Sequence, residues 1–180
     1  MAISASSCAT SAVAAEPPRP LDVTRILRSL TEAGVEFVVI GGIAAVLQGS
    51  PRNTFDLDIS FATDPSNLEA LGRVLVALDA RLAGIGEDLP FVPDGETLRR
   101  IELLALETSA GTLDVLAKPP GAPPFKTLWE RADRLDAGGF VIRVASIDDL
   151  LAMKRAAGRP KDLADIAELE AILRLRAEPV

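Results

Sequence analysis

Two aspartates alternate with apolar residues in Asp56-Leu57-Asp58-Ile59, and this short run constrains the fold more than any other. In a strand, side chains at i and i+2 point to the same side, with Cα atoms about 6.6 Å apart. Arg52, Thr54, Asp56 and Asp58 then share one face, and Phe55, Leu57, Ile59 and Phe61 share the other. The apolar face belongs against a core. The acidic face crowds like charges unless a cation joins them, and a hard divalent ion such as Mg²⁺, or two of them, takes carboxylate oxygens as ligands. The alternative is a solvated outer face on which two acids coincide. Against it stands the upstream pair Gly41-Gly42, which follows an apolar run at 36–40. Glycines where a strand gives way to a helix let backbone N–H groups approach a phosphate.

A metal site of this kind needs a further carboxylate. Asp114, flanked by Leu113 and Val115, is the candidate. A strand beside the first would bring it about 5 Å from the aspartate pair. The alternative is an edge-strand aspartate facing water. Glu102 and Glu107 compete and rank lower. Lys154 breaks a pattern of its own: the apolar stripe Ile147, Leu150, Leu151 continues to this lysine. An inward lysine either snorkels or meets an anion. Lys161 reads as exposed. Asp162 or Asp165 caps a helix, pairs with Arg159 or orients a substrate.

Elsewhere the chain alternates helix and strand signals. Asp22 caps a helix with the stripe Val23, Ile26, Leu27 and Leu30, ended by Gly34. A strand at 36–40, a short helix at 42–48, a strand at 54–61 and a long helix opened by Asp64-Pro65 follow. Residues 83–96 read as loop, and 100–107 with 112–117 as a hairpin. After a proline-rich connector come a helical turn at 125–131 and strands at 132–136 and 140–145. Ser146 and Asp149 form a capping box for a helix to residue 157, and a last helix spans 161–176. Residues 1–20, rich in Ala, Ser and Pro, read as a disordered tail, and 21–180 as one domain whose C-terminal part, 146–176, is helical.

Histidine is absent from the 180 residues, which excludes Ser-His and Cys-His catalysis and imidazole-ligated zinc. The single cysteine, Cys8, excludes a disulfide framework and fits a cytoplasmic setting. A net charge of −7 argues against a broad nucleic-acid surface but permits a small anionic substrate where basic residues are local. No secretory signal is expected, and no run is long and apolar enough to span a membrane. A dinucleotide-binding reading of Gly41-Gly42 fails for want of a third glycine, and an EF-hand reading fails because Ile59-Ser60-Phe61 lacks the glycine turn.

Taken together, Gly41-Gly42, Arg52-Asn53-Thr54-Phe55-Asp56-Leu57-Asp58-Ile59 and Leu113-Asp114-Val115 resemble the nucleotidyltransferase superfamily, with its DNA polymerase β-like fold. The tail, Asp149 to Lys154 and then Gly158-Arg159-Pro160-Lys161-Asp162-Leu163-Ala164-Asp165-Ile166, resembles the small bacterial branch around AbiEii-like toxins of type IV toxin–antitoxin systems. The resemblance implies an α/β (α+β) fold: a mixed β-sheet flanked by helices, with C-terminal helices. It implies Mg²⁺, bound by Asp56, Asp58 and Asp114, and transfer of a nucleoside monophosphate from an NTP such as ATP to a hydroxyl on RNA (tRNA included) or protein. Asp114 would also help deprotonate that hydroxyl. Gly41 and Gly42 would hold phosphate, and Lys154 would contact the triphosphate. Where Gly42 stands many relatives carry serine, whose missing donor Arg52 or Thr54 would replace. A cognate antitoxin is an implied partner. The competing expectation is an inactive nucleotide- or partner-binding protein that keeps the fold.

Overall fold

The computed structural model describes residues 20–84 and 91–177. The expected tail and Cys8 lie outside the described residues, apart from Pro20. Seven strands form one mixed sheet in the order β3-β4-β5-β2-β1-β7-β6. The strands are β1 (Phe37–Ile40), β2 (Asp56–Phe61), β3 (Arg81–Leu82), β4 (Leu103–Thr108), β5 (Gly111–Leu116), β6 (Asp133–Asp136) and β7 (Val141–Val144). The helices are α1 (Val23–Glu32), α2 (Gly41–Leu47), α3 (Pro65–Ala77), α4 (Gly95–Arg100), α5 (Phe125–Arg131), α6 (Ile147–Ala157) and α7 (Pro160–Ala177). This is the mixed sheet flanked by helices that the motifs imply.

Local signals account for most element ends. Asp22 accepts the Arg25 N–H at 2.9 Å and starts α1, which buries Ile26, Leu27 and Leu30. Asp64 accepts the Asn67 N–H at 3.0 Å, and Pro65 opens α3. Ser146 accepts the Asp149 N–H at 3.2 Å at the head of α6.

The centre of the sheet positions the acidic residues. β2 runs antiparallel to β1 and parallel to β5. Leu57 pairs with Leu113 and Ile59 with Val115, and on β4 Leu106 and Leu104 continue these rows. All six are buried and join one hydrophobic cluster with Leu68, Leu71 and Leu75 of α3 and Leu98 of α4. Each such side chain contributes about 1.5–3 kcal/mol on burial. This fixes the register, because a slip by one residue would turn Leu57 and Ile59 outward and the aspartates into the core.

Three local expectations are corrected. β2 begins at Asp56, not at 54, and Phe55 is 81% exposed rather than part of the apolar face. The ladder runs out there: β1 turns into α2 after Ile40, opposite Asp58, and the β5 register reaches only Thr112, opposite Asp56. Residues 95–100 form α4 instead of loop and strand, because Asp94 accepts the Thr97 N–H at 2.7 Å and Leu98 is buried. Residues 81–82, just before the expected loop and given no strand in the sequence reading, pair with β4 as β3.

Candidate functional site

The acidic residues come from two adjacent strands. Asp56 and Asp58 project from the face of β2 opposite Leu57 and Ile59, and Asp114 on β5 stands in register with Asp58. Neighbouring strands lie about 4.8 Å apart, so the three carboxyls issue from one small area of sheet. Glu102 precedes β4. Glu107 is paired with Thr112 on β4, one strand farther from Asp58 than Asp114 is.

The glycine pair makes room for this row. Gly41 has φ +65°, and a Cβ there would lie 2.0 Å from Asp58 Oδ2. A side chain at 41 and the observed Asp58 carboxylate exclude each other. The Gly42 N–H donates to the Asp58 carboxylate. A Cβ on Gly42 would lie 2.5 Å from Thr54 Oγ1, so the Thr54 hydroxyl fills the space a side chain at 42 would need. That hydroxyl donates to Asp56 Oδ1 at 2.8 Å.

Crowding shows in the electrostatics. Burial first, and then the charges of Asp56 and Asp114, push the Asp58 carboxyl up to about 6, against relief from the Gly42 N–H and Arg159. Burial and Asp56 likewise raise Asp114, with Lys161 opposing. Among the described residues no three metal-ligating side chains are already gathered as a cage. In the observed rotamers Asp58 turns to Gly42 and Asp56 to Thr54. The donor set nonetheless fits a hard cation: all ligands are carboxylate oxygens, they leave neighbouring backbone positions, and their mutual repulsion is what such a cation relieves.

The C-terminal hairpin closes one side. α7 lays one stripe along the segment leading into β2. Arg176 donates to the Gln48 carbonyl at 3.0 Å, Ile172 touches the Gly49 position, Ser50 donates to Glu168 at 2.5 Å, and Arg52 pairs with Asp165. Lys154 is 6% exposed and bonds Asp165, with Asp162 at 3.9 Å. Arg159 forks onto Asp162, with Nε to Oδ2 at 2.9 Å and Nη2 to Oδ1 at 3.2 Å. The structure therefore brings Asp56, Asp58, Asp114, Gly41, Gly42 and Thr54 together. It ties Arg52 and Lys154 into an ionic network with Asp162 and Asp165 instead.

Sequence reasoning assigned no site role to Arg159, which lies within electrostatic reach of both Asp56 and Asp58. Nor did it assign one to Lys161, which stands in the same relation to Asp114. The available signal was the pair of i, i+3 spacings Arg159–Asp162 and Asp162–Asp165 beside an inward-facing lysine.

Solved structures share this architecture. The chain is similar to the lincosamide antibiotic adenylyltransferase LnuA in a lincomycin-bound crystal structure, with TM-score 0.58 and 18% identity over 86% of this chain and 99% of that one. It is also similar to the antibiotic-resistance factor ANT(2'')-Ia in solution, with TM-score 0.51 and 20% identity over 85% and 86%. A third likeness is to an antigenic nucleotidyltransferase-like protein from Paracoccidioides brasiliensis, with TM-score 0.51 and 18% identity over 85% and 74%. At these identities the likeness is one of fold. No curated protein matches the chain significantly in sequence. The match that reaches beyond fold covers residues 21–179: the chain belongs to the family described as nucleotidyltransferase of unknown function (DUF6036).

Proposed function

We propose that this chain transfers a nucleoside monophosphate from an NTP to a hydroxyl acceptor, using Mg²⁺ held by Asp56, Asp58 and Asp114. The observation that carries the reading is the register of Asp58 with Asp114 on parallel strands, beside the glycines that admit the Asp58 carboxylate. In such a reaction the acceptor oxygen bonds to the α-phosphorus, the bond from that phosphorus to the bridging oxygen breaks, and pyrophosphate leaves. A bound divalent ion supplies neutralisation of the triphosphate charge.

The chain's own residues supply position. Thr54 orients Asp56 through its hydroxyl. The N–H of Gly42 orients Asp58. Gly41 makes room for the Asp58 carboxylate, and the Thr54 hydroxyl fills the place that a side chain at 42 would take. Asp114, raised by burial and by Asp56, is suited to accept the proton of the attacking hydroxyl.

The acceptor is a hydroxyl. The C-terminal motif favours RNA or protein, and the likeness to LnuA adds a small hydroxylic molecule as a third class to assay. A toxin role would appear as growth arrest on expression, relieved by a neighbouring antitoxin gene. Cytoplasmic action fits the single cysteine, and among the described residues no helix is long and apolar enough to cross a membrane. Purified protein with Mg²⁺ and α-labelled NTPs tests the reading directly. Label is expected on RNA, protein or a small acceptor, and its loss in Asp56→Ala is expected with the fold intact. NTP binding without transfer to any acceptor class would favour an inactive binding protein.

A further inference from the structure

One ionic network crosses the hairpin from the sheet-entry segment to the helix joint: Arg52, Asp165, Lys154, Asp162, Arg159. Its ends and its middle differ. Lys154, Asp162 and Asp165 are 6%, 1% and 5% exposed, whereas the Arg159 side chain is 57% exposed and that of Arg52 25%. We propose that Arg159 binds the polyphosphate of the nucleotide, and that Lys154 is a positioning residue that sets Arg159 and Arg52 in place without touching substrate. This rests on the nucleotidyltransferase reading above and reassigns the triphosphate contact that the family resemblance places on Lys154.

Lys154 has no cheap route to a phosphate. Turning toward one would leave two buried carboxylates without their shared cation. Arg159 is placed for the task. Its backbone N–H donates to Asp162 Oδ2 at 3.1 Å, and its Nε and Nη2 fork the same carboxylate, so the guanidinium plane is fixed before any ligand arrives. The fork leaves the Nη1 donors for a second anion, and a planar guanidinium suits phosphate oxygens. Asp162 shares its charge with Lys154, so Arg159 is not neutralised by its own partner. Arg159 also acts electrostatically on Asp56 and Asp58, so its guanidinium lies within reach of the acidic pair.

Calorimetry with Mg²⁺–NTP and with the matching NMP separates the roles. Arg159→Ala should weaken NTP binding about tenfold or more. It should leave NMP binding unchanged, and should lower Tm by several degrees at most, because the buried Asp162 loses its fork but keeps Lys154 and the backbone N–H of residue 159. Arg159→Lys should recover part of the loss. Lys154→Met should lower Tm and weaken NTP binding, and the double variant should bind no worse than Arg159→Ala alone. Should Lys154→Met fail to fold, the Arg159 arm decides alone. Unchanged NTP affinity in Arg159→Ala, with wild type binding well, overturns this inference and spares the proposed function. Equal loss of NTP and NMP affinity overturns it too, as does Lys154→Met losing NTP affinity at unchanged Tm. Wild type that binds no nucleotide overturns both.

Discussion

Asp162 and Asp165 on α7 each meet cations: Arg159 and Lys154 for the first, Lys154 and Arg52 for the second. Asp58 and Asp114 on the sheet meet chiefly other carboxylates, with Arg159 and Lys161 acting as weaker influences. The same side-chain chemistry thus yields opposite electrostatics. For Asp162, burial pushes upward, but the fork from Arg159 and the charges of Arg159 and Lys154 outweigh it and leave the carboxyl below its ordinary value. For Asp58, burial and like charges act together and raise it. The hairpin's charges are satisfied by the chain itself, so they serve the structure. Those of the sheet are relieved only in part, by Arg159 and Lys161.

Substitutions on the two sides should therefore fail differently. The largest expected effect is on chemistry: Asp56→Ala or Asp58→Ala should lower transfer by about a thousandfold or more, with Tm held or raised. A next, smaller effect is on stability. Lys154→Ala removes the cation that the buried Asp162 and Asp165 share, leaves each with one arginine, and should cost up to about 3 kcal/mol, a fall in Tm of up to about 10 °C in a thermal melt. If Lys154→Ala melted like wild type while Asp58→Ala unfolded, the contrast between the regions would be lost.

Gly41→Ala sits between the two classes. The added Cβ would meet the Asp58 carboxylate at a positive φ, so both the site and the backbone must shift. A cost of about 1–2 kcal/mol from the φ alone, with transfer strongly reduced, is expected from melts and label transfer run together. Wild-type behaviour in both would remove Gly41 from the account.

How much of this was legible depended on whether the signal was local. The alternation at 56–61 and the apolar flanks of Asp114 carried the two strands. Their parallel register follows from matching Leu57 and Ile59 to Leu113 and Val115 in one core. The caps at Asp22, Asp64 and Ser146 were readable one by one. Phe55 was misplaced because parity along β2 does not show where its partners run out. α4 was hidden because its glycine and the preceding proline look like loop, and Asp94 acts as a cap only once Leu98 has a core to enter. Lys154 was visible as an inward cation, but its anion was not. Only the fold of α7 back along residues 48–52 shows that Asp165 and Asp162 take it. Arg159 went unassigned for the same reason.

The smallest effects expected concern pH. A carboxyl raised in the folded state, as Asp58 is, adds stability fully present below its ordinary value of 3.8 and lost as pH rises through about 6. One lowered in the folded state, as Asp162 is, adds stability present above 3.8 and lost as pH falls through its depressed value. In metal-free protein, Asp58→Asn should then melt a few degrees above wild type at pH 8, and the two should converge toward pH 4. Mg²⁺ affinity of the wild type should fall as pH drops through about 6, because protons and metal compete for Asp58. Parallel melting curves across that range would contradict the assignment.

Calorimetric titration of the wild type and of Asp58→Ala with an NTP, each with and without Mg²⁺, is the most direct test of whether the carboxylates of β2 and β5 form a metal-dependent nucleotide site. The expected result is saturable NTP binding by the wild type only when Mg²⁺ is present, and no such binding by a folded Asp58→Ala. Equal binding by both proteins, or binding indifferent to the metal, would contradict it.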